Sequence, residues 1–182
     1  MRNGAAKEAQ AAVAEQFKVE ASFEEIVRRH QGMVFSLACH FLRDAALAED
    51  LAQEVFLDLF RKAPQVQSPE HLQYWLRKVT VHRCIDYARR HRIKPLSLED
   101  EREPAAVQTE SDPLLSKKLR QMVSTLPVKR RMVVLLRFQE EMELHEIAEI
   151  MGMPINTVKS YLQRSLEFLR GKLARCLGDV TV

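Results

Sequence analysis

Residues 144–162, LHEIAEIMGMPINTVKSYL, decide the reading of this chain. Ile147 and Ala148 fall on an inward face, and Ala148 is small where two helices must approach closely. Gly152 stands at the turn, where a positive φ is cheap only for glycine. Asn156 or Thr157 is expected to cap the second helix, after which Val158 and Leu162 return to a core stripe continued by Leu166, Leu169 and Leu173. The outward positions at the start of that helix are Asn156, Thr157, Lys159, Ser160, Gln163 and Arg164. Such hydrogen-bonding and cationic side chains reach base edges and phosphates in a major groove. A helical hairpin with a solvated polar face would share the periodicity. The coincidence of turn glycine, small residue and polar start favours a helix-turn-helix that reads duplex DNA.

Outward from this motif the pattern stays helical. Ser22 with Glu25 reads as a capping box, and Ile26, Val27, His30, Val34, Leu37, Ala38 and Phe41 follow on one face. Asp44 is the expected cap of a second helix with Leu47, Ala48, Leu51, Val55 and Leu59 inside. Pro64 and Pro69 bound a short loop, and a third helix is expected from near His71. Its face is clean through Leu72, Trp75, Leu76 and Val79, then blurs as arginines accumulate, as a ligand-facing half would.

Residues 93–113 hold Pro95, Pro104 and Pro113 among acidic residues without periodicity, the composition of a flexible linker. A second unit begins near Leu114, with Leu115, Leu119, Met122 and Leu126 on one side, and Pro127 starts a further helix through Phe138. Its run Met132-Val133-Val134-Leu135-Leu136 would suit a buried strand, but no second strand run exists to pair with it, so helix is expected. The fold class is therefore all-α: two small helical domains, 22–92 and 114–177, joined by the linker, with an alanine-rich extension at 1–21 of no assigned role.

Composition narrows the function. The 182 residues are 46% hydrophobic and 29% charged, a globular balance, and no apolar run approaches a membrane span. None of the 5 glycines falls in a phosphate-cradling pattern. Cys39, Cys84 and Cys176 are scattered, which fits a reducing compartment and a cytoplasmic protein. No zinc spacing closes around His82 with Cys84 or Cys39 with His40, so no metal, cofactor or enzyme activity is expected. The net charge of +3 is unevenly spread. Residues 44–60 are acidic, 71–94 basic, 97–112 acidic again and 155–175 basic. Two basic blocks around an acidic stretch point to two polyanion-binding units.

Three stretches decide which kind of DNA-binding protein this is. AEDLAQEVFLDLF at 48–60, YWLRKVTVHRCIDYARRHR at 74–92, and LPVKRRMVVLLRF at 126–138 with NTVKSYLQR at 156–164 resemble the bacterial extracytoplasmic-function sigma factors. The resemblance covers roughly residues 22–175 in the family's order. It implies promoter-specific transcription initiation: a first domain that binds core RNA polymerase and the −10 element, and a second that binds the −35 element. Asp50, Gln53, Glu54 and Phe56 would dock on a coiled coil of the polymerase largest subunit. An acidic helix face with an exposed aromatic suits an Arg-rich partner.

Melting the −10 region without ATP requires tighter binding to the separated strand than to the duplex. Lys78, Arg83, Arg89 and Arg90 would serve the backbone, and Gln65 lies in the loop where the family captures a flipped base. Tyr74 and Trp75 are stacking candidates, although Trp75 at this spacing is more often core. His82 stands where family members commonly carry asparagine. For the −35 element the resemblance implies Asn156, Thr157, Lys159, Ser160, Gln163 and Arg164, with Arg130 and Arg131 gripping phosphates beside the groove. Tyr161 replaces a frequent arginine. The family also implies an anti-sigma protein that clamps both domains, and nucleoid association within the holoenzyme. The competing reading is a stand-alone helix-turn-helix regulator that binds duplex DNA without polymerase.

Overall fold

The structure is a computed structural model that describes residues 23–62, 68–91 and 113–178. Among the described residues it contains seven helices and no strand: α1 Phe23–Leu42, α2 Ala45–Lys62, α3 Pro69–Arg90, α4 Pro113–Ser124, α5 Val128–Phe138, α6 Leu144–Met151 and α7 Ile155–Gly178. The all-α expectation is met. Ser22, Gln65, the residue 93–112 part of the linker and the 1–21 extension lie outside the described residues.

The first unit is α1–α3. Val34, Leu37, Ala38 and Phe41 of α1 are buried against Ala48, Leu51, Val55 and Leu59 of α2, the two faces that the spacing picks out. Asp44 caps α2 as expected, its Oδ1 accepting from Leu47 N at 3.1 Å. The third helix starts earlier than its hydrophobic face signals. Ser68 is the N-cap, accepting from His71 N at 3.1 Å, with Pro69 in the first turn where no N–H is needed. Nor does its far half turn away from the core. Leu72 and Leu76 are followed by buried Thr80, Val81, Cys84 and Ala88, so the face persists in smaller residues.

The second unit is α4–α7. Leu119 does not join its core and is 49% exposed, whereas Met122 and Leu126 are buried. α5 is buried along its whole middle, Arg131 through Leu136, which accounts for an apolar run with no polar face. Met132, Val133, Leu135 and Leu136 share one hydrophobic cluster with α1–α3, while Val134 packs with Met122, Leu126 and Leu169. The two units therefore pack directly on each other, with α5 as the central element.

Two turns are left-handed without glycine. Arg43, at φ 58°, ends α1, its N–H donating to Cys39 O at 2.8 Å. Glu141, at φ 53°, follows α5, beside Met142 N, which donates to Leu136 O at 3.1 Å. A side chain in this region costs about 1–2 kcal/mol. At Arg43 the side chain is held in place by donating Nη1 to Ser124 Oγ at 3.1 Å.

Candidate nucleic-acid and protein interface

The helix-turn-helix is formed by α6 and α7. Glu143 and Glu146 make a reciprocal capping box, with Glu143 N donating to Glu146 Oε2 at 2.7 Å. Gly152 terminates α6 at φ 60°, ψ 41°, its N–H reaching the carbonyls of Ala148 and Glu149. Ile147 and Val158 are fully buried and fix the angle between the helices. α7 begins at Ile155, with Pro154 O accepting from Thr157 N at 2.9 Å and Val158 N at 3.2 Å. Asn156 and Thr157 thus stand inside the first turn and are not its cap. Asn156, Lys159, Ser160, Gln163 and Arg164 are exposed and Thr157 is half-buried, forming one polar stripe over the first turns. Gln163 Nε2 rests on Glu167 Oε1 at 3.0 Å, and Arg130 lies 5.9 Å from the Tyr161 ring centroid, beside the stripe.

Arg131 departs from expectation. It is 1% exposed, and its guanidinium donates to Phe41 O at 2.9 Å, to Ser124 O and to Leu126 O at 3.4 Å. Burial, with the Arg43 cation adding to it, pulls its pKa down to about 10. In this arrangement it offers nothing to a phosphate.

On the first unit, Asp50, Gln53 and Glu54 are exposed along α2. Phe56 is 7% exposed and packs in the core, which corrects the expectation of an exposed aromatic there. Leu57 and Phe60 project instead, at 53% and 67% exposure. The periodicity already carried this signal, because Phe56 follows Val55 on the inner face. A shallow apolar groove between α1 and α2, lined by Phe23, Val27, Phe35, Gln53, Phe56 and Leu57, adjoins the acidic positions.

The basic set on α3 is divided. Arg83 is tied to the acidic helix, donating to Asp58 Oδ2 at 2.6 Å and to Glu54. Lys78 Nζ sits 5.8 Å from the Tyr74 ring centroid, and Trp75 is half-buried against the core. His82 Nε2 lies 2.9 Å from Ile150 O of α6, so that ring nitrogen donates to the second unit. Arg89 and Arg90 are exposed at the end of α3, where Arg89 makes only a surface pair with Asp86 at 3.2 Å. Cys39 and Cys84 are free and buried. Among the described residues there is no cluster of three or more metal-ligating side chains, and no helix is long and apolar enough to cross a membrane.

These features define a two-unit helical protein whose second unit carries a DNA-reading helix-turn-helix. Residues 26–93 match the family described as sigma-70 region 2, and residues 116–169 match sigma-70 region 4. The chain is 30% identical to RNA polymerase sigma factor SigV of Bacillus subtilis, over 80% of this chain and 87% of that one. It is 32% identical to ECF RNA polymerase sigma factor SigE of Mycolicibacterium smegmatis, over 85% of this chain and 62% of that longer one. Its fold matches that of the sigma factor RpoE of Bartonella quintana, co-crystallised with the anti-sigma factor NepR, with a TM-score of 0.65 at 18% identity, covering 84% of this chain and 96% of that one. The chain belongs to the RNA polymerase sigma factors of the sigma-70 family, in their extracytoplasmic-function branch. It is a transcription initiation factor, not a stand-alone regulator.

Proposed function

We propose that the two units divide promoter recognition between them while α2 holds core RNA polymerase. The observation that carries this is the polar stripe Asn156, Lys159, Ser160, Gln163 and Arg164 on an α7 whose opposite side is anchored by buried Val158 and Ser165. Only a helix fixed on one side can present base-reading groups in a defined register. Thr157 completes the −35 contacts, and Arg130 serves a neighbouring phosphate.

The polymerase-binding surface is Asp50, Gln53 and Glu54, with exposed Leu57 and Phe60 supplying the desolvated apolar contact beside them. Lys78, Arg89 and Arg90 face the −10 backbone, joined by Arg83 when polymerase displaces its hold on Glu54. Gln65 is assigned to the flipped base, Tyr74 to stacking, and Trp75 to support of that surface from the core; His82 completes the −10 set. The chain has no catalytic role of its own, works in the cytoplasm on the nucleoid, and is controlled by an anti-sigma protein. Run-off transcription with purified core polymerase on a genomic promoter library tests the reading. A discrete set of promoter-specific transcripts is expected, and transcripts indistinguishable from core polymerase alone would refute it.

A further inference from the structure

Tyr161 stands one helical turn from two of the DNA-facing residues. Thr157 is four residues before it on α7 and Arg164 three after, so the three side chains share one row of the helix surface. The ring is half-buried and packs against the core cluster that holds Ile147, Ile150 and Val158. The Tyr161 carbonyl accepts from Ser165 Oγ at 2.6 Å, and Ser165 is fully buried one turn on. The ring is therefore carried by a segment seated in the core, at the border between that core and the polar stripe.

Arg130, partly exposed in the first turn of α5, brings a cation to that ring. Its guanidinium carbon lies 5.9 Å from the ring centroid, within the reach at which an aromatic face attracts a cation. Among the described residues no carboxylate or carbonyl engages this guanidinium. Its sequence neighbour Arg131 is in the opposite condition, 1% exposed with its donors held by Phe41 O, Ser124 O and Leu126 O. One arginine of the pair thus serves the interior, and the other keeps its N–H donors for a group outside the chain. A long side chain loses rotamer freedom when it binds, and resting on a ring removes part of that loss beforehand. A guanidinium over a ring face still presents its in-plane N–H fork to an oxyanion.

We propose that Tyr161 is a positioning residue for −35 binding: its ring holds the Arg130 guanidinium beside Thr157 and Arg164, preorganised for one phosphate of the DNA backbone. This rests on the promoter reading above. It explains how a cation from α5 reaches the edge of a stripe that otherwise belongs wholly to α7. Phosphate contacts fix orientation and carry no base information. Tyr161 accordingly sets affinity and the seating of α7 in the groove, and leaves base choice to Asn156, Ser160 and Gln163.

The test uses holoenzyme, the full chain on core polymerase, with the duplex it selects from a randomised-sequence pool. Phosphates of that duplex are replaced one at a time by uncharged methylphosphonates. For the parent, replacement at a contacted phosphate should weaken binding about fivefold. Arg130→Ala should lose this sensitivity at one position and keep it elsewhere, with the slope of log K against log salt reduced by about 0.9. Tyr161→Leu supplies apolar cover without a π face, and should lose sensitivity at that same position. Tyr161→Phe keeps the ring and should behave as the parent. Arg130→Ala combined with Tyr161→Leu should bind no more weakly than Arg130→Ala alone. Sensitivity retained in Tyr161→Leu, or additive weakening in the double variant, overturns the proposal. So does loss at every position in Tyr161→Leu with a lowered urea midpoint, which marks the ring as packing only. If Arg130→Ala keeps every sensitivity, the phosphate role of Arg130 fails and the positioning role falls with it. If holoenzyme selects no duplex beyond what core polymerase alone selects, the promoter reading itself fails, and the proposal with it.

Discussion

Replacing Gly152 isolates the turn on which the promoter-reading helix depends. Its backbone sits at φ 60°, ψ 41°, and a Cβ added there meets nothing within 4 Å. The penalty is therefore conformational, with no steric clash added. An alanine in this left-handed region costs about 1–2 kcal/mol. The lost freedom of the unfolded chain returns about 0.4–1 kcal/mol. Taken at the midpoints, Gly152→Ala should then destabilise by about 0.8 kcal/mol, or about 2–3 °C for a chain of this size. Asparagine tolerates the region, so Gly152→Asn should lose only about a few tenths of a kcal/mol. Gly152→Val, β-branched, should lose more than alanine. Urea unfolding followed by circular dichroism ranks the series, and promoter-directed transcription should decline in the same order as α7 loses its fixed angle. Alanine matching glycine would refute the claim that this turn needs positive φ. A loss beyond about 3 kcal/mol for alanine would refute the open space around it.

Four further outcomes follow from the same structure. Lys159→Ala should weaken binding to duplex promoter DNA and reduce the slope of log K against log salt by about 0.9, one phosphate contact; an unchanged slope removes Lys159 from the interface. Glu54→Lys should abolish co-purification with core polymerase while Arg83 stays held by Asp58, so the urea unfolding midpoint should change little. Burial raises the thiol pKa values of Cys39 and Cys84, so neither should react with a thiol reagent at pH 8 until urea unfolds the protein. Burial also lowers the pKa of His40, with Arg120 adding to it against Ser36 and Glu140, and burial lowers that of His30, with Arg29 and Arg77 adding. Below pH 6.5 the unfolded chain takes up protons that the folded one refuses, so the urea midpoint should fall as pH drops from 7.5 to 5.5, and less so in His40→Gln.

Much of this was legible in the residues because one period served one face. Ala48, Leu51, Val55 and Leu59 read as a stripe and pack as one. Gly152 read as a turn and takes positive φ. Failures occurred where a residue answers to a partner distant in sequence. Arg131 sits in an Arg-rich run that resembles a phosphate grip, but its bond to Phe41 O spans 90 positions, and periodicity within a helix carries no information about that. The resemblance turns Phe56 outward, whereas its place beside Val55 puts it on the inner face, where the structure has it. The core face of α3 faded to the eye because Thr80, Cys84 and Ala88 are small or polar; Thr80 is buried because its hydroxyl bonds Leu76 O at 2.7 Å. Arg43 and Glu141 take the left-handed turns that glycine usually marks. The overlooked signal was Met132–Leu136, since a helix with no polar face must be covered on both sides.

That two-sided cover explains the composition of the seam. An interface made wholly of leucine and valine would resemble a single core, and separating it would expose only apolar surface. Here apolar packing along α5 lies beside side-chain bonds from Arg131, Arg43, Gln139, Arg77 and His82. Arg131 and Arg43, 1% and 6% exposed, fix the register of the seam, because a shifted seam would leave their guanidinium groups buried without these partners. The apolar component holds the units together, and the polar component sets the one register in which they fit.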